Sequence, residues 1–82
     1  AMTSTVMKHE KEYVGTVKLT QNEAKQKAFS HANVSSSNAY DVEVELDHQY
    51  YEVSFKSGQY EYEYKINASD GSIVAHDKDY DD

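Results

Sequence analysis

The chain has no cysteine, no arginine and no tryptophan, and no apolar run that reaches even half a membrane span. Without cysteine no disulfide can staple the fold, although small secreted domains often rely on such staples. A single domain of 82 residues must then be held by its core, by a neighbouring domain or by self-association, of which a homodimer is one form. Without arginine, eight lysines stand against fifteen acidic residues, for a net charge of −7. That argues against nucleic acid, whose phosphates need Lys and Arg, and against an anionic membrane surface. A basic partner or a cation is left open. Acidic residues also simply keep a small domain in solution. With no span and no signal-type apolar segment, membrane attachment would come only through an anchor outside this chain. Ala1 and Met2 read as a cloning remnant ahead of a native fragment of a longer protein. The sequons at Asn33 and Asn67 matter only in a eukaryotic secretory setting.

What is present divides into one helical stretch and a run of alternating segments. Residues 1–16 read as a polar arm or linker, with an extended lead-in over Tyr13 to Leu19. Thr20-Gln21-Asn22-Glu23 has the pattern of a capping box, with Leu19 and Ala24 placed as a hydrophobic staple. Ala24, Ala28, Phe29 and Ala32 then form one stripe of an amphipathic helix. Asn33 suits the left-handed residue that ends it, and Ser35 to Asn38 is a loop by composition. From Tyr40 the period becomes 2. Three alternating runs start at Tyr40, Tyr51 and Tyr60, separated by hairpin-length breaks, which predicts an antiparallel meander. The Asp70-Gly71 turn leads to a brief last strand around Ser72 to Ala75, and 76–82 reads as a loose acidic tail. The expected architecture is α+β: one N-terminal helix packed on a three- to four-stranded antiparallel meander. The inward set is Ala24, Ala28, Phe29, Ala32, Val42, Val44, Leu46, Tyr51, Val53, Phe55, Tyr62, Tyr64 and Ile66.

These residues resemble a known pattern. Leu19-Thr20-x-x-Glu23-Ala24-x-x-x-Ala28-x-x-x-Ala32 is similar to the opening helix of PepSY domains. Tyr51-Glu52-Val53-x-Phe55 is similar to the family's middle strand, and Tyr62-Glu63-Tyr64-x-Ile66-Asn67-Ala68-x-x-Gly71-x-Ile73 to its closing signature. The resemblance spans about residues 17–75. Asn67 stands where the family usually has Asp, and Asp70 where Thr is common. The resemblance implies an extracytoplasmic bacterial setting, in envelope lipoproteins, membrane proteins or peptidase propeptides. It also implies a role in restraining or regulating a peptidase, often beside a second PepSY copy.

Catalysis has no visible apparatus. There is no Cys, and the serines lack a placed histidine. The carboxylates stand in rows on a wet face rather than in two contrasting environments. His9, His31, His48 and His76 show no ligand spacing, and His76-Asp77-x-Asp79 lacks the glycine and terminal glutamate of a calcium loop. No enzyme, cofactor or metal centre is therefore expected. The candidate partner contacts are Glu43, Glu45, Glu52, Glu61 and Glu63 on an acidic face that also carries Asp41, together with Tyr50, which has the parity of an exposed residue. Such a face suits a basic or polar protein, but it is also what an ordinary solvated sheet needs to avoid aggregation. Tyr60, Tyr62 and Tyr64 read as core and rim, or else as part of an interface. Three functions follow: a binding module that docks on a peptidase or envelope protein, a spacer in a tandem-repeat surface lipoprotein, or a cation-binding module using the acidic face or tail.

Overall fold

A computed structural model describes residues 18–80; the polar arm, most of the extended lead-in and the last two residues of the expected tail lie outside these. Helix α1 spans Gln21–Ala32 and is followed by a short 3-10 turn, Ser36–Asn38. Strands β1 (Tyr40–Asp47), β2 (Tyr50–Ser57), β3 (Tyr60–Asn67) and β4 (Ile73–Tyr80) follow. They pair in sequence order as one antiparallel meander, with β1 and β4 at the edges.

The helix begins and ends where local chemistry dictates. The Thr20 hydroxyl accepts from the Glu23 amide at 3.1 Å, and the Glu23 carboxylate accepts from the Thr20 amide at 2.9 Å. Two amides that the helix leaves unpaired are thus satisfied reciprocally. Asn33 closes the other end at φ 60°. Ala24, Ala28 and Phe29 are buried, and α1 packs across β1, β2 and β3. Alanine at two of these positions lets the helix axis lie close to the sheet.

Beneath α1 the core is largely aromatic. Tyr51, Val53, Phe55, Tyr62, Tyr64, Ile66 and Ala68 are buried, with Leu19, Ala32, Val44, Leu46 and Ile73 packed around them. Phe55 is the centre: its ring meets Phe29 edge-on at 4.8 Å and stacks on Tyr62 at 5.0 Å. The buried tyrosines keep their hydroxyls satisfied at the margin. Tyr51 donates to the Leu19 carbonyl at 2.8 Å, tying the segment before α1 to β2. The Lys18 and Leu19 amides both donate to the Ala68 carbonyl, at 2.8 and 2.9 Å.

Two expectations are corrected. Val42 was expected inside but is exposed. The ladder pairs Tyr40 with Lys56 and then Glu43 with Ser54, leaving two β1 residues opposite the single Phe55. This bulge sits at Asp41, whose φ is 52°, and it puts Tyr40 out of phase with Val44 and Leu46, while Val42, next to it on edge strand β1, is left 37% exposed. The second correction concerns the C-terminal end. His76 onward was expected to be a loose tail after a strand ending near Ala75, yet β4 runs to Tyr80, paired with β3 along its length. His76, Lys78 and Tyr80 face one way and Asp77 and Asp79 the other, so the period of 2 is present without the apolar residues that usually signal it.

The turns hold three residues in left-handed backbone. Gly58, at φ +61°, opens the β2–β3 hairpin with nothing within 4 Å of where a Cβ would lie, and His48 stands at the matching place of the β1–β2 hairpin with φ 59°. Side chains pay about 1–2 kcal/mol for this conformation. Gly58→Ala is therefore expected to lower stability by about 1–2 kcal/mol, whereas His48→Gly is expected to be neutral or to raise it by up to about 1 kcal/mol. The contact His48 would lose, Nδ1 to Asp47 at 2.9 Å, is largely exposed and contributes little. Urea melts of the two variants should move in opposite directions or, at the least, differ by about 1 kcal/mol. At Gly71 (φ +78°) a Cβ would come within 2.8 Å of Lys27 Cε, so the turn before β4 also abuts the helix.

Candidate docking face

The antiparallel register sorts the sheet into a face under α1 and a face turned away from it. On the outer face Glu43 stands opposite Ser54, Ser54 opposite Glu63, and Glu63 opposite Asp77. In the next row Glu45 stands opposite Glu52, and Glu52 opposite Lys65; in a third, Lys56 opposes Glu61, and Glu61 opposes Asp79. Two lysines thus relieve Glu52 and Glu61, while Glu45–Glu52, Glu63–Asp77 and Glu61–Asp79 remain directly opposed like charges. Such pairs destabilise a sheet by a few tenths to about 1 kcal/mol each. This face is not flat. Its central hollow, of about 360 Å³, is bordered by Glu43, Glu45, Glu52, Glu63, Lys65 and Asp77. Glu61 lies in an adjoining hollow of about 440 Å³ with Asp41, Glu43 and Lys56, and Lys56 Nζ lies 3.8 Å from an Asp41 carboxylate oxygen.

Of the residues singled out from the sequence, Glu43, Glu45, Glu52 and Glu63 therefore share one hollow, and Glu61 lies beside it. Tyr50 differs from expectation. It is on the outer face but half-buried, with the Lys65 ammonium 4.9 Å from its ring centre. That cation–π contact, diagonal across β2 and β3, covers a ring expected to be free. Among the described residues, no group of three His, Asp or Glu side chains is placed to hold a metal ion, and no helix is long and apolar enough to cross a membrane.

The self-repulsion of the acidic face bears most on Asp79. The nearby Asp77 charge, and a hydrogen bond that the protonated Asp79 carboxyl donates to Asp77, hold Asp79 above its ordinary range. Its folded state binds a proton more tightly than the unfolded chain does. The stability from this group is therefore fully present below the ordinary carboxyl value and is lost as pH rises through the raised one. Asp70 runs the other way. The Ser72 amide, which donates to its carboxylate at 2.9 Å, is the main cause of a lowered value. That contribution is present above the ordinary value and lost as pH falls through the lowered one. Asp77→Asn is expected to return Asp79 to the ordinary range and leave Asp70 unmoved, as read by carboxyl-carbon NMR titration.

A second surface was only half legible. The helix leaves the far end of the β3–β4 hairpin uncovered on its own side of the sheet. There Tyr60 and Tyr80 are 39% and 57% exposed, their rings 5.7 Å apart, and Lys78 Nζ lies 4.4 Å above Tyr60. The alternation of Tyr60, Tyr62 and Tyr64 was readable. Its partner row, His76-Lys78-Tyr80, was read as tail.

The turn that resembles the family signature is also explained. The Asn67 side-chain oxygen accepts from the Ser69 and Asp70 amides at 2.7 and 3.3 Å. The Asn67 amide oxygen thereby closes an Asx turn. The family model described as Peptidase propeptide and YPEB domain, PepSY, matches residues 18–77. No curated protein and no solved structure gives a significant match.

Proposed function

The chain belongs to the PepSY family, and we propose that it is a non-catalytic, extracytoplasmic docking module that restrains a peptidase by seating its acidic sheet face on a basic surface of that enzyme. The peptidase-propeptide character of the family supports a protein partner of this class. The observation that carries the choice of face is the outer row of opposed carboxylates around one hollow, Glu43, Glu45, Glu52, Glu63 and Asp77. A sheet that only needed solubility could alternate its charges. This one keeps three like-charged pairs in register and offers only two lysines among them. A cationic partner would relieve that repulsion on binding, and desolvated charge complementarity fixes orientation and raises the association rate.

The proposal predicts a stoichiometric complex in which the domain is not consumed. Added to envelope peptidases of the source cell, the domain should slow cleavage of a reporter peptide at 1:1 ratio and survive intact. Association should weaken steeply between low and physiological salt, because exposed charges are screened over about 8–10 Å. A domain that is digested as ordinary substrate, or that inhibits equally at all salt concentrations, would remove the acidic face from the mechanism.

A further inference from the structure

We propose that His31 and His76 form a two-imidazole chelate for a borderline transition-metal dication, of the Zn²⁺, Cu²⁺ or Ni²⁺ class. The two residues are 45 positions apart in sequence, one in the last turn of α1 and the other on edge strand β4. The fold brings their ring centroids to 4.7 Å, with planes tilted by 54°. Two imidazole nitrogens sharing one ion at about 2.0–2.1 Å place ring centres about 5 Å apart, close to the separation seen here. Both side chains are exposed, which leaves the remaining coordination positions to water.

The surroundings select a ligating nitrogen. His31 Nδ1 lies 3.0 Å from the Tyr64 hydroxyl. With Nδ1–H donating to that oxygen, the lone pair is left on Nε2, the arrangement that second-shell acceptors impose on metal-binding histidines. The Tyr64 hydroxyl, as the acceptor at 3.0 Å, orients the His31 ring. His76 lies against the same ring, its plane within 21° of Tyr64 at 5.6 Å. Tyr64 thus supports both imidazoles. The ion would sit by the negative end of the α1 dipole on a chain of net charge −7, both of which favour a cation. Imidazole is the ligand type that suits Zn, Cu and Ni rather than calcium or magnesium. By register Tyr64 and His76 alternate with Glu63 and Asp77, so the imidazoles lie on the helix side of the sheet, although Tyr64 and His76 also border the acidic hollow. Its consequence is mechanical: an ion there would pin β4 to the helix, whose own packing is on β1, β2 and β3.

The test uses the full chain with Zn²⁺, and separately Ni²⁺, in isothermal titration and thermal melts. One ion per chain is expected. At free zinc about five times Kd the Tm should rise by roughly 4–8 °C, since the ion binds only the folded arrangement. His31→Ala and His76→Ala, both at exposed positions, should each weaken binding at least tenfold and abolish the Tm shift, while His48→Ala should change neither. Tyr64→Phe should weaken binding about 10- to 100-fold with both ligands still present. Unchanged affinity in either His31→Ala or His76→Ala, a loss in His48→Ala, or one ion per two chains would overturn the chelate. So would no binding by wild type at millimolar Zn²⁺.

Discussion

Phe55→Ala is expected to cost about 3–5 kcal/mol and to leave the domain mostly unfolded in mild urea. Phe55 is 1% exposed in the middle of β2. Its ring is enclosed by Phe29 from the helix and by Tyr62 and Tyr64 from β3. Removing it leaves a cavity that these three rings cannot all collapse into, since each is fixed by its own element. The loss therefore includes the cavity cost as well as the transfer term. Domains are stable by only about 5–15 kcal/mol, and one of this size with no disulfide sits toward the low end. A loss of 3–5 kcal/mol shifts the folded-to-unfolded ratio by two to three and a half orders of magnitude. Phe55→Leu, which refills most of the volume, is expected to cost only on the order of 1–2 kcal/mol. Val44→Ala, on edge strand β1 and only half-buried, should also cost less. Urea melts followed by circular dichroism give all three. A Phe55→Ala variant within 1 kcal/mol of wild type would mean that the aromatic cluster is not what joins helix to sheet.

The parts of this core that were readable in the sequence are those governed by local rules. Thr20 and Glu23 announce the helix start because a capping box is a four-residue device. Asn33 announces its end because few residues tolerate positive φ. Strands β2 and β3 alternate without interruption, so their inward residues could be named one by one. What could not be read is what register and edge position decide. The bulge at Asp41 inserts one residue into β1, and nothing in Tyr40-Asp41-Val42-Glu43-Val44 marks the slip. Alternation assigns Val42 inward, but it does not show that the edge strand beside the bulge is left exposed. Strand β4 escaped for a different reason. Beyond Ile73 it is exposed on both faces, so it has no apolar alternation, and its charges read as a tail. Its strand character comes from pairing with β3, a tertiary fact. The same limit hid the His31–His76 approach, since spacing rules see residues four apart, not 45.

The candidate face was legible in composition but not in arrangement. That Glu43, Glu45, Glu52, Glu61 and Glu63 share one face follows from alternation within each strand of the meander. Which of them oppose one another depends on hairpin register, and that is where the energetics lie. Pairing Glu52 with Lys65 and Glu61 with Lys56 relieves two acids, and the same register sets Glu45 against Glu52 and Glu63 against Asp77. Tyr50 shows the converse. Its parity was right, but Lys65 reaches diagonally across to its ring, and no single-strand pattern contains that contact.

Reversing the unrelieved acids separates folding from docking, and the two should respond with opposite sign. Glu45→Lys gives Glu52 a cation on either side, where Lys65 alone now faces it, and Glu63→Lys does the same for its opposition to Asp77. Each change turns a repulsive cross-strand pair into an attractive one, so each is expected to raise stability by about 0.2–1 kcal/mol, and the double variant should melt a few degrees higher. Binding to a basic partner should move the other way. A lysine placed where the partner presents a cation adds repulsion where there was attraction, and a loss of about tenfold per reversal at low salt corresponds to about 1.4 kcal/mol. The double variant should thus bind roughly 100-fold more weakly while folding better. A merely destabilising substitution could not produce that combination, because it would lower the melting temperature with the affinity. If the melting temperature rises and the affinity holds, the carboxylates serve only to keep an open sheet solvated. Docking would then fall to the uncovered Tyr60–Lys78–Tyr80 end, where Lys78→Glu should become the disruptive change.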